Sequence, residues 1–290
     1  MEIGIGLPAT IPNVEGRQVL DWARRADQRG FATLGVIDRV VYGNYEPLIA
    51  LAAAAGVTER IRLTSTVLLA TLRTNYALFA KQAASLDRLS GGRLVLGLSV
   101  GGREDDFQVS GVDMHSRGRI MDALLERSTA VWRGELGVGP APASPGGPRL
   151  LIGGATPASF RRVAKYGIGW IMGGGSPEHL AQGAAAVREA WAAAGRQGAP
   201  RLAALAYYAL GPNARGAADS YLHDYYGFLG PTADFIAGAA LVTAEQVKGA
   251  IEAFDEAGCD ELVLFPCDPD VSQVDQLADV AAAAVGRPFR

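Results

Sequence analysis

The stretch SGGRLVLGLSVGGREDDFQVSG, Ser90 to Gly111, carries a glycine pair, an apolar run, a second glycine pair and three consecutive acids. KQAASLDRL, just before it, has helical composition, and glycine is the favoured residue past a helix C-terminus. The first pair therefore reads as a helix stop. The run LVLGLSV (94–100) is apolar without strict alternation, the pattern of a parallel strand covered on both faces. The second pair then reads as bare backbone at the strand's C-terminal end, and the acids Glu104, Asp105 and Asp106 as the flank of the next helical turn.

The same sequence of helix stop, apolar run and glycine-rich exit recurs along the chain. Further runs are IGIGL (3–7), TLGVI (33–37), IRLTSTV (61–67), LLIGG (150–154), GWIM (169–172), LAALAYYAL (202–210) and ELVLFP (261–266). Between them lie Ala-, Leu- and Arg-rich segments of helical period. GRQVLDWARRADQRG places Val19, Leu20, Ala23 and Ala26 on one face and stops at Gly30. SPEHLAQG opens with Ser176 as N-cap and Pro177 at the first helical position, and no Glu or Gln completes a capping box. Eight strand–helix pairs in 290 residues point to the α/β class and a single (β/α)8 TIM barrel. A doubly wound open sheet is the alternative, but GIGLPA after the first run has two glycines and no third in register for a dinucleotide fingerprint. GELGVGPAPASPGGP (134–148) reads as a loop. The Tyr- and Phe-rich segment 211–240 reads as a lid or pocket wall, or as a packed helical excursion.

Composition narrows the function. A net charge of −3 and a pI of about 5.7 advertise no basic face for nucleic acid. The start MEIGIGLPAT lacks the regions of a signal peptide, and no run of about 18 apolar residues predicts a membrane span. Two cysteines make no disulfide framework, and the expected location is cytoplasmic. None of the three lysines falls on a predicted strand, against a Schiff-base aldolase. The three histidines are far apart, against a His-based metal site. Asp38, Asp106 and Asp268 read as caps or loop charges, and no metal is assigned. No G-x-S-x-G elbow occurs. A protein with so little reactive chemistry of its own fits an enzyme whose cofactor does the work.

In such a barrel the site lies at the strand C-termini. The residues there are Asp38, Arg39 and Tyr42 after the second run, Gly101 to Glu104 after the fourth, Gly154 to Thr156 after the fifth and Gly173 to Gly175 after the sixth. GGATPASF sets two glycines and Thr156 before a helix starting at Pro157. That is either an anion site or an ordinary strand-to-helix turn.

LDWARRADQRGFATLGVIDR, TERIRLTSTVLLATLRTNYALFAKQAASLDRLSGGRLVLGLSVGG and PRLLIGGATPASFRRVAKYGIGWI resemble the bacterial luciferase-like flavin oxidoreductase superfamily, with LDRLSGGRLVLGL the most specific block. The similarity covers residues 1 to about 175 well and the rest loosely. It implies one luciferase-like TIM-barrel domain over 1–290 that binds reduced flavin mononucleotide (FMN) or the deazaflavin coenzyme F420. The chemistry implied is hydride transfer to, or monooxygenation of, a small organic substrate. Catalytic candidates are Asp38, facing the ring edge, and Arg39, which replaces a family histidine. Cofactor contacts implied are Asp38, Thr66, Val67, Gly101, Gly102, Asp105, Gly153, Gly154, Ala155 and Thr156. The Thr66–Val67 bond matches a cis peptide of the family. Tyr42, His115 and Tyr225 are substrate-side candidates. Asp38, and Val100 where luciferase has an arginine, favour the deazaflavin over FMN. The segment 134–148 lacks the family's aromatic hairpin, so the pocket is either more open or closed by residues 221–228. A homodimer and a separate flavin or deazaflavin reductase are expected by analogy. A non-catalytic flavin-binding protein and a cofactor-free isomerase acting on a phosphate substrate are the alternatives.

Overall fold

In the computed structural model, which describes residues 1–286, eight parallel strands close into a barrel in the order β1 to β8. They are β1 (Glu2–Gly6), β2 (Thr33–Val36), β3 (Arg62–Leu69), β4 (Leu94–Ser99), β5 (Arg149–Gly153), β6 (Gly169–Met172), β7 (Arg201–Tyr208) and β8 (Glu261–Pro266). Eleven helices accompany them: α1 (Gly16–Gln28), α2 (Pro47–Ala55), α3 (Tyr76–Leu89), α4 (Glu104–Val109), α5 (Arg117–Trp132), α6 (Pro157–Tyr166), α7 (Pro177–Ala193), α8 (Ala214–Tyr226), α9 (Pro231–Gly238), α10 (Ala244–Glu256) and α11 (Ser272–Val285). The expected (β/α)8 barrel is therefore the fold; the last four residues of the expected 1–290 span lie outside the described residues.

Beyond their charged first residues the strands are largely apolar, because one face packs on the helices and the other fills the barrel. The main core lies between strands and helices and includes Trp22, Trp132, Trp170 and Trp191, all buried. Trp170 comes from β6 and not from a helical stripe. β3 runs two residues past its expected end. Its pairing with β4 shifts between Ser65 and Leu68 and then resumes as Leu68 with Leu98 and Leu69 with Ser99. Such a bulge leaves the apolar pattern unbroken, so the pattern does not reveal it. The Thr66–Val67 bond inside it is cis, as the resemblance implied.

Helix starts follow their caps. Asn75 accepts from Leu78 N–H at the head of α3, and Thr156 from Ser159 N–H at the head of α6. α7 corrects one expectation, because its capping box is complete. Ser176 Oγ accepts from His179 N–H, and His179 Nδ1 accepts from Ser176 N–H at 3.3 Å, so an imidazole takes the place of Glu or Gln. Residues 134–148 hold no helix or strand. Residues 211–240 are mostly helical, and α8 buries Ala218, Tyr221, Leu222 and Tyr225 at helical spacing.

A charged layer plugs the N-terminal end of the barrel. Arg62 holds Glu2 through two N–H groups at 3.1 and 2.6 Å and reaches Glu261 at 3.1 Å. Arg201 holds Glu261 at 2.8 Å and also pairs with Glu2. Thr33 donates to Glu261, which is 3% exposed. Burial alone would raise the Glu2 carboxyl, but Arg62 and Arg201 outweigh it and hold it below the usual carboxylate range.

Candidate functional site

The other end of the barrel is filled on one side only. Near β7, β8, β1 and β2 the interior is closed by Phe265 and Tyr207, both buried. A Cβ on Gly6 would lie 2.2 Å from the Phe265 ring, and one on Gly35 2.8 Å from Val263, so glycine is what admits these side chains. Across the barrel, a small apolar group of Val95, Leu151, Ile171 and Ala203 ends upward at Val67, which is half-buried like Ser99. Gly97 and Gly153 lie beside Val67. A Cβ on either would come 3.2 or 3.6 Å from Val67 Cγ1. The result is an apolar floor, off the barrel axis, under β3, β4, β5 and β6.

The rim beyond that floor is bare backbone. Gly154, Ala155 and Thr156 are exposed before α6, and Gly173, Gly174 and Gly175 after β6. Gly154 adopts φ +101°, and Trp170 Nε1–H donates to its carbonyl at 2.9 Å. Substitutions at Gly102, Gly173 and Gly174 would meet no atom within 4 Å. These positions leave room for a ligand chain to run against main-chain amides.

The β2 mouth carries the charge. Asp38, 4% exposed, accepts from Leu69 N–H at 2.8 Å and from Arg73 Nη1 at 2.7 Å. Arg73 also reaches Glu46 at 2.9 Å. Burial pushes the Asp38 carboxyl up, and Arg73 and the Leu69 N–H oppose it. Asp38 is thus tied to the end of β3, two residues beyond Val67. Arg39 is equally buried. Its Nε–H donates to Asp106 Oδ2 at 3.0 Å and its Nη2 to the Val41 carbonyl at 2.8 Å. Asp106, which lies inside α4 and caps no helix, accepts from Val40 and Val41 N–H as well, so it fixes the loop that presents Arg39. No group of three or more potential metal ligands occurs among the described residues. Asp105 is held below the usual carboxylate range chiefly by Arg103, which grips it through Nε and Nη2.

The segment after β7 closes over this cluster. The Arg39 guanidinium lies 5.6 Å from the Tyr42 ring centre, 5.5 Å from Tyr225 and 5.8 Å from Phe228, and Arg103 lies 3.5 Å from Phe228. Tyr42 meets Tyr225 edge to face at 5.0 Å and donates to Asp224. Tyr207 and Tyr226 share a hydrogen bond of 2.8 Å. Burial pushes the hydroxyls of Tyr42, Tyr207 and Tyr225 up, so they stay protonated.

Most of the sequence-derived residues thus meet at one end of the barrel. Thr66 is buried, donating to the Val36 carbonyl at 3.0 Å, while Val67 reaches the floor. Gly101, Gly102 and Asp105 lie on the β4 rim, and Gly153 to Thr156 on the β5 rim. Tyr42 and Tyr225 flank Arg39. His115 stands on an exposed turn, Met114–Ser116, ahead of α5, with its backbone N–H capped by Asp113. Arg73 and Glu46 belong to the cluster and are not singled out by the sequence, because each is a surface-type residue whose partner the barrel brings to it. Phe228, at the end of the expected closing segment 221–228, lies against Arg39 and Arg103.

The model of the family described as luciferase-like monooxygenase matches residues 1–286. An uncharacterised protein of Mycobacterium tuberculosis is 31% identical over 175 residues, 55% of this chain and 61% of its own length. An F420-dependent secondary alcohol dehydrogenase, solved with an F420–acetone adduct, superposes with a TM-score of 0.81 at 20% identity over 98% of both chains. The oxygenating constituent of 3,6-diketocamphane monooxygenase from Pseudomonas putida, solved with FMN, superposes with a TM-score of 0.72 at 17% identity, again over 98% of both chains. These two likenesses establish the shared barrel. On the family match over nearly its whole length, the chain belongs to the luciferase-like monooxygenase family.

Proposed function

We propose that the chain is an oxidoreductase that holds reduced F420, or reduced FMN as the second choice, over the off-axis floor at the C-terminal end of the barrel. The observation that carries this is the pairing of that half-buried floor, Val67 beside Ser99, with bare glycine backbone on the adjoining β4, β5 and β6 rims. A flat tricyclic ring needs the first and a phosphorylated side chain the second. In this reading Val67 and Ser99 face the ring, Gly97 and Gly153 lie beneath them, and Gly101 and Gly102 flank the chain. Gly154, Ala155 and Thr156, at the head of α6, meet the phosphate.

The bound coenzyme supplies a hydride, or with FMN and O2 the reducing equivalents for oxygen insertion. The protein's own groups position and enclose. Asp38 fixes the end of β3 through the Leu69 N–H and so sets the height of the floor. Arg39 stands beside it as a hydrogen-bond donor, since a guanidinium neither gives nor takes a proton at working pH. The tyrosines and Phe228 keep water from the cluster, and Tyr42 and Tyr225 face the substrate side. The same reading includes a cytoplasmic homodimer, paired through α2 and α3, where Ile49 and Leu78 are exposed. It also includes a separate reductase that recharges the coenzyme.

The test is fluorescence titration of the chain with F420 and FMN, each oxidised and reduced. The expected result is micromolar binding of F420, tighter than FMN. Binding of FMN alone reverses the order of cofactors, and binding of neither refutes the reading.

A further inference from the structure

Five buried side-chain polar atoms have no hydrogen-bond partner among the described residues, and two of them are Arg39 Nη1 and Arg103 Nη1. The coincidence is not spread over the molecule. Both guanidinium groups lean on the same two acids: Arg39 reaches Asp106 at 3.0 Å and Asp105 at 3.5 Å, and Arg103 reaches Asp105 at 2.6 Å and Asp106 at 3.9 Å. Both lie against the Phe228 ring. Each arginine spends the same edge, Nε and Nη2, on these acids and on the Val41 carbonyl. What remains on each is one desolvated N–H2 group that completes no hydrogen bond, with the Tyr225 hydroxyl standing beside the Arg39 guanidinium. A buried donor without an acceptor is costly, and two of them in one charged cluster favour a ligand that brings an acceptor.

We infer that Arg39 and Arg103 form an oxygen-binding subsite for the carbonyl group of a neutral substrate with an aromatic or otherwise apolar body. Charge decides against an anion. Arg39 and Arg103 are balanced by Asp105 and Asp106, and further acids stand nearby in Asp38 and Asp224. A carboxylate or phosphate would bring excess negative charge to a cluster that has no positive charge to spare. A carbonyl oxygen needs only donors, and it has two lone pairs with which to accept. The walls agree, since Tyr42, Tyr225 and Phe228 surround the guanidinium groups with ring faces. Phe228 is the entrance. It is half-exposed, lies on the short turn Gly227–Leu229 and is followed by Gly230 at φ +56°, so a ligand reaches both N–H2 groups by displacing one ring. The subsite rests on the oxidoreductase reading only for what then happens to the carbonyl.

The test is calorimetric titration of the chain without coenzyme, using acetophenone, benzoate and ethylbenzene as probes. Acetophenone is expected to bind at least tenfold more tightly than ethylbenzene, which has the same body and no oxygen, and more tightly than benzoate. Arg39→Lys keeps the charge against Asp106 and removes Nη1. Arg103→Gln, on the half-buried rim, tests the second donor with less demand on folding. Each is expected to weaken acetophenone roughly tenfold or more, the loss of one hydrogen bond to a charged donor, with an unchanged circular dichroism spectrum. The subsite is overturned by no acetophenone binding at millimolar concentration, by equal binding of ethylbenzene, by tighter binding of benzoate, or by Arg103→Gln binding like the parent. Titration with F420 and FMN in parallel separates the two claims. A chain that takes acetophenone through Arg103 but neither coenzyme keeps the subsite and loses the oxidoreductase reading, and the converse result does the reverse.

Discussion

Gly97→Ala is a sharp test of the floor. Strands β3 and β4 are packed so closely at the bulge that a Cβ on Gly97 would sit 2.1 Å from the Ser65 carbonyl oxygen. Ser65 Oγ–H already donates to the Gly97 carbonyl at 2.9 Å, so the two residues are locked together. A backbone oxygen in a paired strand cannot swing aside as a side chain would. Overpacking typically costs 1–3 kcal/mol, and a clash with main chain belongs near the top, about 3 kcal/mol. Unfolding entropy of about 2.1 cal/mol/K per residue near 60 °C gives roughly 0.6 kcal/mol/K for 290 residues, so Tm should fall by about 5 °C. Gly249→Ala, on the exposed face of α10 and outside the proposed site, is the control: its Cβ meets nothing within 4 Å, and its Tm should not fall. Both are read by differential scanning calorimetry, with an F420 titration well below the melting range. Gly97→Ala should lose binding there because the bulge that carries Val67 has moved, while Gly249→Ala should retain it. An unchanged Tm for Gly97→Ala refutes the packing argument. A lowered Tm with full F420 binding would show that the ring does not rest on this floor.

Two further outcomes follow from the charges. Arg73→Met leaves the Asp38 carboxylate buried with one N–H for company, and breaking a buried pair costs about 3–5 kcal/mol. The lower figure is expected at pH 7, with most of it recovered in Asp38→Asn/Arg73→Met. Burial already raises Asp38, so in the single variant the deficit in urea unfolding should shrink as pH falls and the carboxyl takes a proton; a deficit constant with pH sinks the assignment. In the parent chain, burial would raise Glu2, Asp27 and Asp275. Their partners outweigh it and depress all three: Arg62 and Arg201 for Glu2, the N–H groups of residues 59 to 61 for Asp27, and Arg25 and Arg29 for Asp275. A depressed carboxyl stabilises the fold fully above its unfolded value, about 4, and loses that contribution as pH drops below it. Tm should therefore hold from pH 7 to 5 and fall between about pH 4 and 2, and a flat profile there would contradict the pairings.

The barrel was legible because its signals are local. A run such as Leu94 to Ser99, bounded by glycine pairs, carries its own length, burial and exits, and eight of them fix the class. Even the cis Thr66–Val67 bond in β3 is reached, though by resemblance and not from its residues. What stayed hidden were partnerships set by topology. Glu2 meets Arg62 and Arg201 across 60 and 199 positions, and Asp38 meets Arg73 across 35. Nothing in the identity of Arg73 distinguishes it from an arginine in solvent. Asp106 was ambiguous for the opposite reason. Three acids in a row look alike on paper, and only the approach of the Val40 and Val41 amides selects the buried one. For the α8 segment the sequence leaves a lid and a packed helical excursion open, because tyrosines at spacing 221 and 225 suit a pocket wall and a buried helix face equally well; the helix and its buried face are what the structure adds.

The glycines show how one residue type serves two ends. On β1 and β2, Gly6 and Gly35 are narrow so that Phe265 and Val263 can fill the space, and the barrel is solid there. On β4 and β5, Gly97 and Gly153 are narrow while nothing larger than Val67 and Ser99 stands above them. The asymmetry pushes any ligand off the axis, toward β3 to β6. It also explains why closure has to come from the far side. Tyr225 and Phe228, after β7, lie against Arg39 from β2 and Arg103 from β4. A roof anchored over the filled half overhangs the open half, and the two arginines at the overhang are the ones with donors to spare. At the opposite end the ion pairs of Glu2, Arg62, Arg201 and Glu261 tie the first residues of β1, β3, β7 and β8 together, so that end of the barrel is closed by charge where the other is closed by aromatic side chains.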